Sequence, residues 1–290
     1  MAIEDEDRPD GWTIGLAHIV IFTHEYDSFG DPHWPFSPAA GGYLLMRVLR
    51  EIEVMGDTWR IVKGAQSCAG DAALLHVDAT LVPPEYAGLA GSFACALNFA
   101  ALDASKRKVS DAVLVPDDSW DGPVIVKSNL NFGGQPERSH NRIARRRRRP
   151  LPHPGAPFAP AYTVLNHKGE VANAVWSDPT RVVERFVPER VTEGYAMRVC
   201  LFMGAYQLCM RHISRSPIIK AANTLRIEAV HAHPALSEKR RRLGFDYGKF
   251  DYVEHDGEAI LLDANRTPGG APRSIGAVDF ARSLHGLISG

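Results

Sequence analysis

The stretch 243–269, LGFDYGKFDYVEHDGEAILLDANRTPG, constrains the fold of this chain more than any other. Asp256-Gly257 stands between two runs of alternating apolar residues, and Asp-Gly in that setting is a strong β-hairpin signal. Side chains alternate across a strand, so the length of the turn decides which residues share a face. A three-residue turn with Gly257 at positive φ puts Asp251 on the face of Asp263 and Asn265. A two-residue turn puts Asp251 on the other face. In the first case three oxygen-bearing side chains converge where strand packing alone would favour apolar groups. Oxygen ligands on a rigid sheet suit Mg²⁺, which takes one or two carboxylates and completes its shell with phosphate and water.

Upstream, Gly122-Pro-Val-Ile-Val-Lys-Ser-Asn-Leu-Asn-Phe-Gly-Gly134 reads as a buried strand that ends in a lysine and runs into a glycine loop. A lysine fixed at a strand end neutralises phosphate oxygens, and glycines let backbone N–H groups approach them. The segment 181–189, RVVERFVPE, is a short apolar strand broken at Pro188. Such a segment offers a flat base an apolar wall and backbone bonds along its edge. In 195–202, YAMRVCLF, Arg198 alternates against Met197, Val199 and Leu201, so it meets either solvent or an anion.

Taken in order, these segments resemble the ATP-grasp ligases, among them the D-alanine–D-alanine ligases and glutathione synthetases. The resemblance covers about residues 100–275 and rests on the lysine strand with its glycine loop, the Glu-x-Phe-aliphatic hinge, and the aspartate strand followed by acidic-x-Asn-x-x-Pro-Gly. It implies ATP and Mg²⁺ (or Mn²⁺) as cofactors. It assigns phosphate contacts to Lys127, Gly133 and Gly134, with Lys106 as a further phosphate ligand. Glu184, Phe186 and Val187 would hold adenine and Glu189 the ribose hydroxyls. Asp251, Asp263 and Asn265 would hold the metal. Arg198 would approach the transferred phosphoryl group, while Arg266 and Arg273 would meet a substrate carboxylate. The loop departs from the family pattern, reading Asn-Phe-Gly-Gly where the ligases often carry Gly-Ser-Ser.

The first hundred residues alternate strand-like and helical stretches: strands at 19–23, 59–62, 72–77 and 93–97, a helix over 39–55, and a short helix after Pro84. That alternation implies a small, mostly parallel, Rossmann-like sheet. No Gly-x-Gly-x-x-Gly follows the first strand, which removes support for a dinucleotide site there. After residue 103 the texture turns to antiparallel hairpins, with strands expected at 161–165, 171–176, 195–202 and 205–210. The expected fold class is therefore α+β, with an α/β N-terminal part: a Rossmann-like domain over 1–110 and an ATP-grasp domain over 111–290.

A net charge of −1 gives no general attraction to nucleic acid or acidic membranes. No apolar stretch reaches the roughly 18 residues of a membrane-spanning helix. The acidic start does not read as a signal peptide, so a cytoplasmic protein is expected. Cys68, Cys95, Cys200 and Cys209 show no C-x-x-C spacing. Cys200 and Cys209 could face each other across a hairpin, but buried free thiols are the expected state. His24, Glu25, His33 and Trp34 read as a polar loop after the first strand, and His231 and His233 lack a third ligand. The five arginines from Arg145 to Arg149 repel one another, so 138–154 is expected as a mobile lid that orders over an anionic ligand.

The expected function is an ATP- and Mg²⁺-dependent ligase joining a small-molecule or peptide carboxylate to an amine or related nucleophile through an acyl phosphate, with a homodimer compatible. The alternatives are a nucleotide-binding protein or phosphotransferase without ligase activity, and a nucleic-acid binder acting through the arginine run.

Overall fold

The computed structural model describes residues 17–30, 42–156, 162–269 and 276–289. His33, Trp34 and Arg273 lie outside the described residues. The β-branched run near the start forms β1 (His18–Thr23), and α1 (Leu44–Val54) buries Leu44, Leu45, Val48, Leu49 and Ile52 along one side. β2 (Thr58–Lys63), β3 (Ala72–Leu75) and β4 (Cys95–Leu97) complete a four-stranded sheet in the order β2-β1-β3-β4, parallel throughout. Ile19 and Ile21 point into one core while Val20 and Phe22 point into another, so β1 is apolar on both faces. This is the parallel sheet that the alternating pattern implies.

A second, three-stranded antiparallel sheet follows. α2 (Lys106–Val109) leads to β5 (Val124–Ser128), α3 (Gln135–Arg146), β6 (Thr163–Leu165), α4 (Asn173–Ser177) and β7 (Arg181–Arg185), and the sheet order is β6-β5-β7. The strand expected at 171–176 is instead mostly α4. Val171 and Val175, four apart, both pack on the core formed by Val124, Val126 and Val183, which a helical turn satisfies as well as a strand. The segment expected to be a lid is helical through Arg146. Glu137, His140, Asn141 and Ala144 form the buried face of α3, and the arginines from 145 to 149 are exposed at its C-terminal end. Cations there meet the negative end of the helix dipole, so the run stabilises the helix end without needing to pack.

The third sheet comprises β8 (Glu189–Val191), β9 (Gly194–Met203), β10 (Tyr206–Ser214), β11 (Arg226–Val230), β12 (Tyr247–His255) and β13 (Glu258–Asn265). Its order is β11-β10-β9-β12-β13, with β8 also on β9, and α5 (Ala235–Leu243) packs against it. Cys200 and Cys209 are direct cross-strand partners and form a buried disulfide, correcting the expectation of free thiols; Cys68 and Cys95 are free.

The β12–β13 turn has two residues, not three. His255 pairs with Glu258, and both Asp256 (φ 50°) and Gly257 (φ 79°) are left-handed, as a type I′ turn requires. That turn alone would place Asp251 opposite Leu262. A β-bulge at Leu262 shifts the register instead: Tyr252 pairs with Leu261, Asp251 with Asp263, and Lys249 with Asn265.

The antiparallel sheets are anchored to the parallel one by polar clamps. Asn98, at φ 65°, accepts the Asp246 and Tyr247 amides at Oδ1 (2.8 and 3.0 Å) and donates to the Tyr247 carbonyl (2.8 Å). Leu201, Met203 and Tyr247 share a core with α1 and with α6 (Val278–Ser289). Among the described residues, no helix is long and apolar enough to cross a membrane.

Candidate active site

On the three-stranded sheet, Val124, Val126 and Val183 face an apolar core, so alternation turns Lys127 and Glu184 to the opposite side. Both are buried, and Lys127 Nζ lies 2.6 Å from Glu184 Oε2. Burial raises the Glu184 carboxyl pKa, with the nearby Lys127 charge opposing the shift. Lys127 Nζ also reaches the carbonyl of Leu262, the bulge residue, at 3.4 Å. Lys106, the first residue of α2 and 4% exposed, places Nζ 3.1 Å from Asp263 Oδ1 and 3.1 Å from the Leu130 carbonyl. Burial lowers its pKa, but the Asp263 charge and hydrogen bond, together with the nearby Tyr162 and Glu184, outweigh that and raise it.

Opposite these lysines stands one face of the large sheet. The bulge puts Asp251 directly across from Asp263, and Lys249 across from Asn265, on that face. Lys249 Nζ lies 2.9 Å from Asp251 Oδ2, while Asp251 Oδ1 is buried without a hydrogen-bond partner among the described residues. Two carboxylates opposed across a ladder repel, and an unpartnered buried carboxylate oxygen is costly. Both features fit a bound divalent cation. Asn265 Oδ1 accepts from the Thr267 amide (2.8 Å) and hydroxyl (3.0 Å), so its carbonyl is already engaged.

The loop between β5 and α3 places Phe132, Gly133 and Gly134 at φ 45°, 62° and 75°, and Gly134 caps α3. Phe132 is exposed at its tip. At the hinge, the Phe186 amide donates to Pro123 O (2.9 Å), and Val187 is buried with Ala112, Val253 and Ile260. Phe186 itself is half-buried.

Three sequence-expected residues stand elsewhere. Arg198 pairs with Tyr252, and Asp251 with Val199, so Arg198 occupies the opposite face of the sheet from the acids. There its guanidinium holds Glu189 through bonds of 2.9–3.2 Å and Glu254 at 2.7 Å. Glu189 also accepts the Glu254 amide (2.9 Å), so its oxygens are committed on that far face. Arg266 is 1% exposed, and its guanidinium donates to the carbonyls of Ala79, Thr80, Ala101 and Leu102 at 3.0–3.2 Å. It clamps two loops of the N-terminal part together rather than facing the cleft.

Three residues on the acid side went unread in the sequence. Lys249 is two residues before Asp251, so the period-2 signal that places the acid also places the lysine. His212 pairs with Met197 on the same face, with Nε2 buried and unpartnered among the described residues. Tyr162 lies in the electrostatic reach of Lys106, Asp263, Glu184 and Asp251, with Lys220 Nζ 5.3 Å above its ring. Nothing in its local sequence marks it.

No family model matches the chain, and no curated protein matches it either. Solved structures do. The ATP-grasp ligase PsnB complexed with a minimal precursor matches with a TM-score of 0.54 at 11% identity, over 94% of this chain and 98% of the other. PsnB complexed with minimal precursor, Mg and ADP matches with a TM-score of 0.52 at 11% identity, over 93% and 97%. A RimK domain ATP-grasp protein from Sphaerobacter thermophilus matches with a TM-score of 0.48 at 16% identity, over 94% of this chain and 100% of the other. The chain has the ATP-grasp fold.

Proposed function

We propose, with the ATP-grasp fold as the premise, that this protein is an ATP- and Mg²⁺-dependent ligase that activates a carboxylate for attack by an amine. The observation that carries the reading is a buried charge cluster between two sheets: Lys106 lies 3.1 Å from Asp263 and Lys127 3.4 Å from the Leu262 carbonyl, with Asp251 directly opposite Asp263. PsnB, solved with Mg and ADP, supports nucleotide and metal as ligands of such a site.

In this reading Asp251 and Asp263 hold Mg²⁺, with Asn265 joining if it releases Thr267. The ion would supply positive charge against the phosphates. Lys106, Lys127 and Lys249 each pair with an acid in the free protein. A cation on Asp251 and Asp263 would release Lys249 and Lys106 to the phosphates, so these two lysines and two acids exchange partners without leaving a buried charge bare, while Lys127 keeps Glu184. Glu184, Phe186 and Val187 border the adenine position, and the Gly133-Gly134 loop supplies backbone N–H groups to the phosphates. The substrate carboxylate oxygen takes the γ-phosphoryl group and ADP leaves. The amine then attacks the acyl carbon, phosphate departs, and the amine proton passes to a base, for which unpartnered His212 is placed on the acid face. Catalysis of this type rests on positioning and charge neutralisation and needs no covalent nucleophile from the protein.

Incubation with ATP, Mg²⁺ and pooled carboxylates and amines, followed by phosphate assay and mass spectrometry, tests the assignment. The expected products are ADP, phosphate and a condensed species lighter than its parents by one water. Nucleotide binding with no condensation across the pool would favour a nucleotide-binding protein or phosphotransferase instead.

A further inference from the structure

Behind the glycine loop lies a cluster that the ligase reading leaves unused. His24 follows β1, His140 lies on the buried face of α3, and His153 follows that helix. One ring nitrogen from each lies within 4.8 Å of the other two. His140 Nδ1 and His153 Nε2 are 3.0 Å apart, and the His24 ring stacks on His140 with centroids 4.2 Å apart. We propose that His24, His140 and His153 bind one divalent transition-metal ion of the Zn²⁺ type, in a site separate from the nucleotide cleft.

The surroundings are those of a metal-binding imidazole set. His140 Nε2 lies 2.6 Å from Asp27 Oδ1, and the other oxygen of Asp27 accepts the His24 and Asp78 amides (2.9 and 3.1 Å). A carboxylate on the far nitrogen of a ligating histidine fixes its tautomer and ring orientation, leaving Nδ1 with its lone pair turned to the site. His153 is held by Asn141, whose side chain donates to the His153 carbonyl (2.7 Å) and accepts its amide (3.1 Å). Tetrahedral bonds of 2.0–2.1 Å hold two nitrogens about 3.3 Å apart, so the 3.0 Å His140–His153 pair opens slightly. The His24 ring, stacked within 12° of parallel to His140, must rotate out of the stack to aim an in-plane lone pair at the same ion. His24 Nδ1 accepts the Tyr26 amide at 3.1 Å, and ligation exchanges that single bond for a metal bond. If all three rings are neutral, none needs to lose a proton overall: a ring proton on a ligating nitrogen moves to the ring's other nitrogen. Three imidazoles select a borderline metal over Mg²⁺, which prefers oxygen. The ion would tie the loop after β1 to α3, the helix that Gly134 caps.

The test uses the full chain, stripped with EDTA and dialysed, in millimolar Mg²⁺ so that oxygen sites are filled. Titration with Zn²⁺ against a chromophoric chelator should give one tight equivalent, and Co²⁺ should produce the visible bands of tetrahedral nitrogen coordination. Asp27→Asn should weaken Zn²⁺ binding on the order of 10- to 100-fold. His140→Gln with His153→Gln should abolish the tight equivalent, while His231→Gln should leave it intact. Absence of a stoichiometric equivalent in the wild type, or its survival in the double variant, would overturn the proposal. If the double variant does not fold, the Co²⁺ spectrum of the wild type decides: octahedral or absent bands count against the site. The titration reads metal content rather than turnover, so it stands whether or not the ligase reading holds.

Discussion

Lys249 and Arg198 sit on neighbouring strands of one sheet, and the face each takes sets opposite expectations for its removal. Lys249 Nζ meets Asp251 inside the cleft. Lys249→Met should leave the fold intact and lower kcat/KM for ATP by about 100-fold, as loss of one charge-stabilising donor does. Arg198 is tied to Glu189 and Glu254 on the other side. Arg198→Met strands two carboxylates and should cost about 3–5 kcal/mol in urea unfolding. Equal effects on turnover would contradict the division of faces. His76 carries a separate signature. Burial holds its pKa down to about 4 from 6.5, and both ring nitrogens lack hydrogen-bond partners among the described residues. Between those values the unfolded chain binds the proton and the folded chain does not, so stability falls as pH falls through that window. Asp78 works the other way. Burial, with Asp27 beside it, raises its pKa to about 6, so from there down to its ordinary value the folded chain holds the extra proton. Comparing wild type with His76→Phe isolates the imidazole. On lowering pH from 7 to 4, the wild type should lose up to about 3 kcal/mol more than the variant. Parallel pH–stability curves would refute this.

The β12–β13 hairpin shows how far local sequence reaches. Asp256-Gly257 announces the turn, and alternation announces both strands. The sequence left two turn lengths open, and the turn has the two residues that alone would part the acids; the shared face of Asp251 and Asp263 comes from the Leu262 bulge. A bulge leaves no local signal, because Leu261-Leu262 reads as ordinary strand. It arises where β13 must satisfy β12 on one side and, through its carbonyl, Lys127 on the other. Inserting one residue between Asp251 and Tyr252, opposite Leu262, should restore a regular ladder and turn either the acids or the apolar residues beyond them to the wrong face. Loss of the Mg-ATP-induced rise in Tm, in a variant that keeps its far-ultraviolet circular dichroism, is the expected result; an unchanged rise would mean that the register does not position the metal ligands. The same limit hid α4, because Val171 and Val175 serve a core from either secondary structure. It also misplaced Arg198 and Glu189, whose partner Glu254 arrives from a strand more than fifty residues away. The parallel sheet was legible because β1 is apolar on both faces, a property of its composition alone.

At the scale of the molecule, charge is distributed unevenly. The chain carries a net charge of −1, yet five consecutive arginines are exposed where α3 ends, one helix away from the glycine loop. Arg147 lies over the Tyr26 ring at 5.7 Å, which ties the helix end to the loop after β1. The positive field is therefore fixed in place and can draw an anionic substrate toward the cleft. The Debye length is about 8 Å at physiological salt, so the effect should fade as salt rises. Replacing Arg145, Arg146, Arg148 and Arg149 with serine should raise KM for an anionic acceptor several-fold at low ionic strength and flatten its salt dependence. ATP affinity should change little, because Lys106, Lys127 and Lys249 lie inside the cleft. A lysine version of the same four positions should recover the KM, which separates charge from helix-end stability. Should the serine variant bind the acceptor as the wild type does but lose affinity for oligonucleotides, the patch would serve nucleic acid instead. Amide exchange across 135–154, with and without Mg-ATP and acceptor, then tells whether α3 moves when the field is occupied: a helix that closes over the cleft gains protection only with both ligands present.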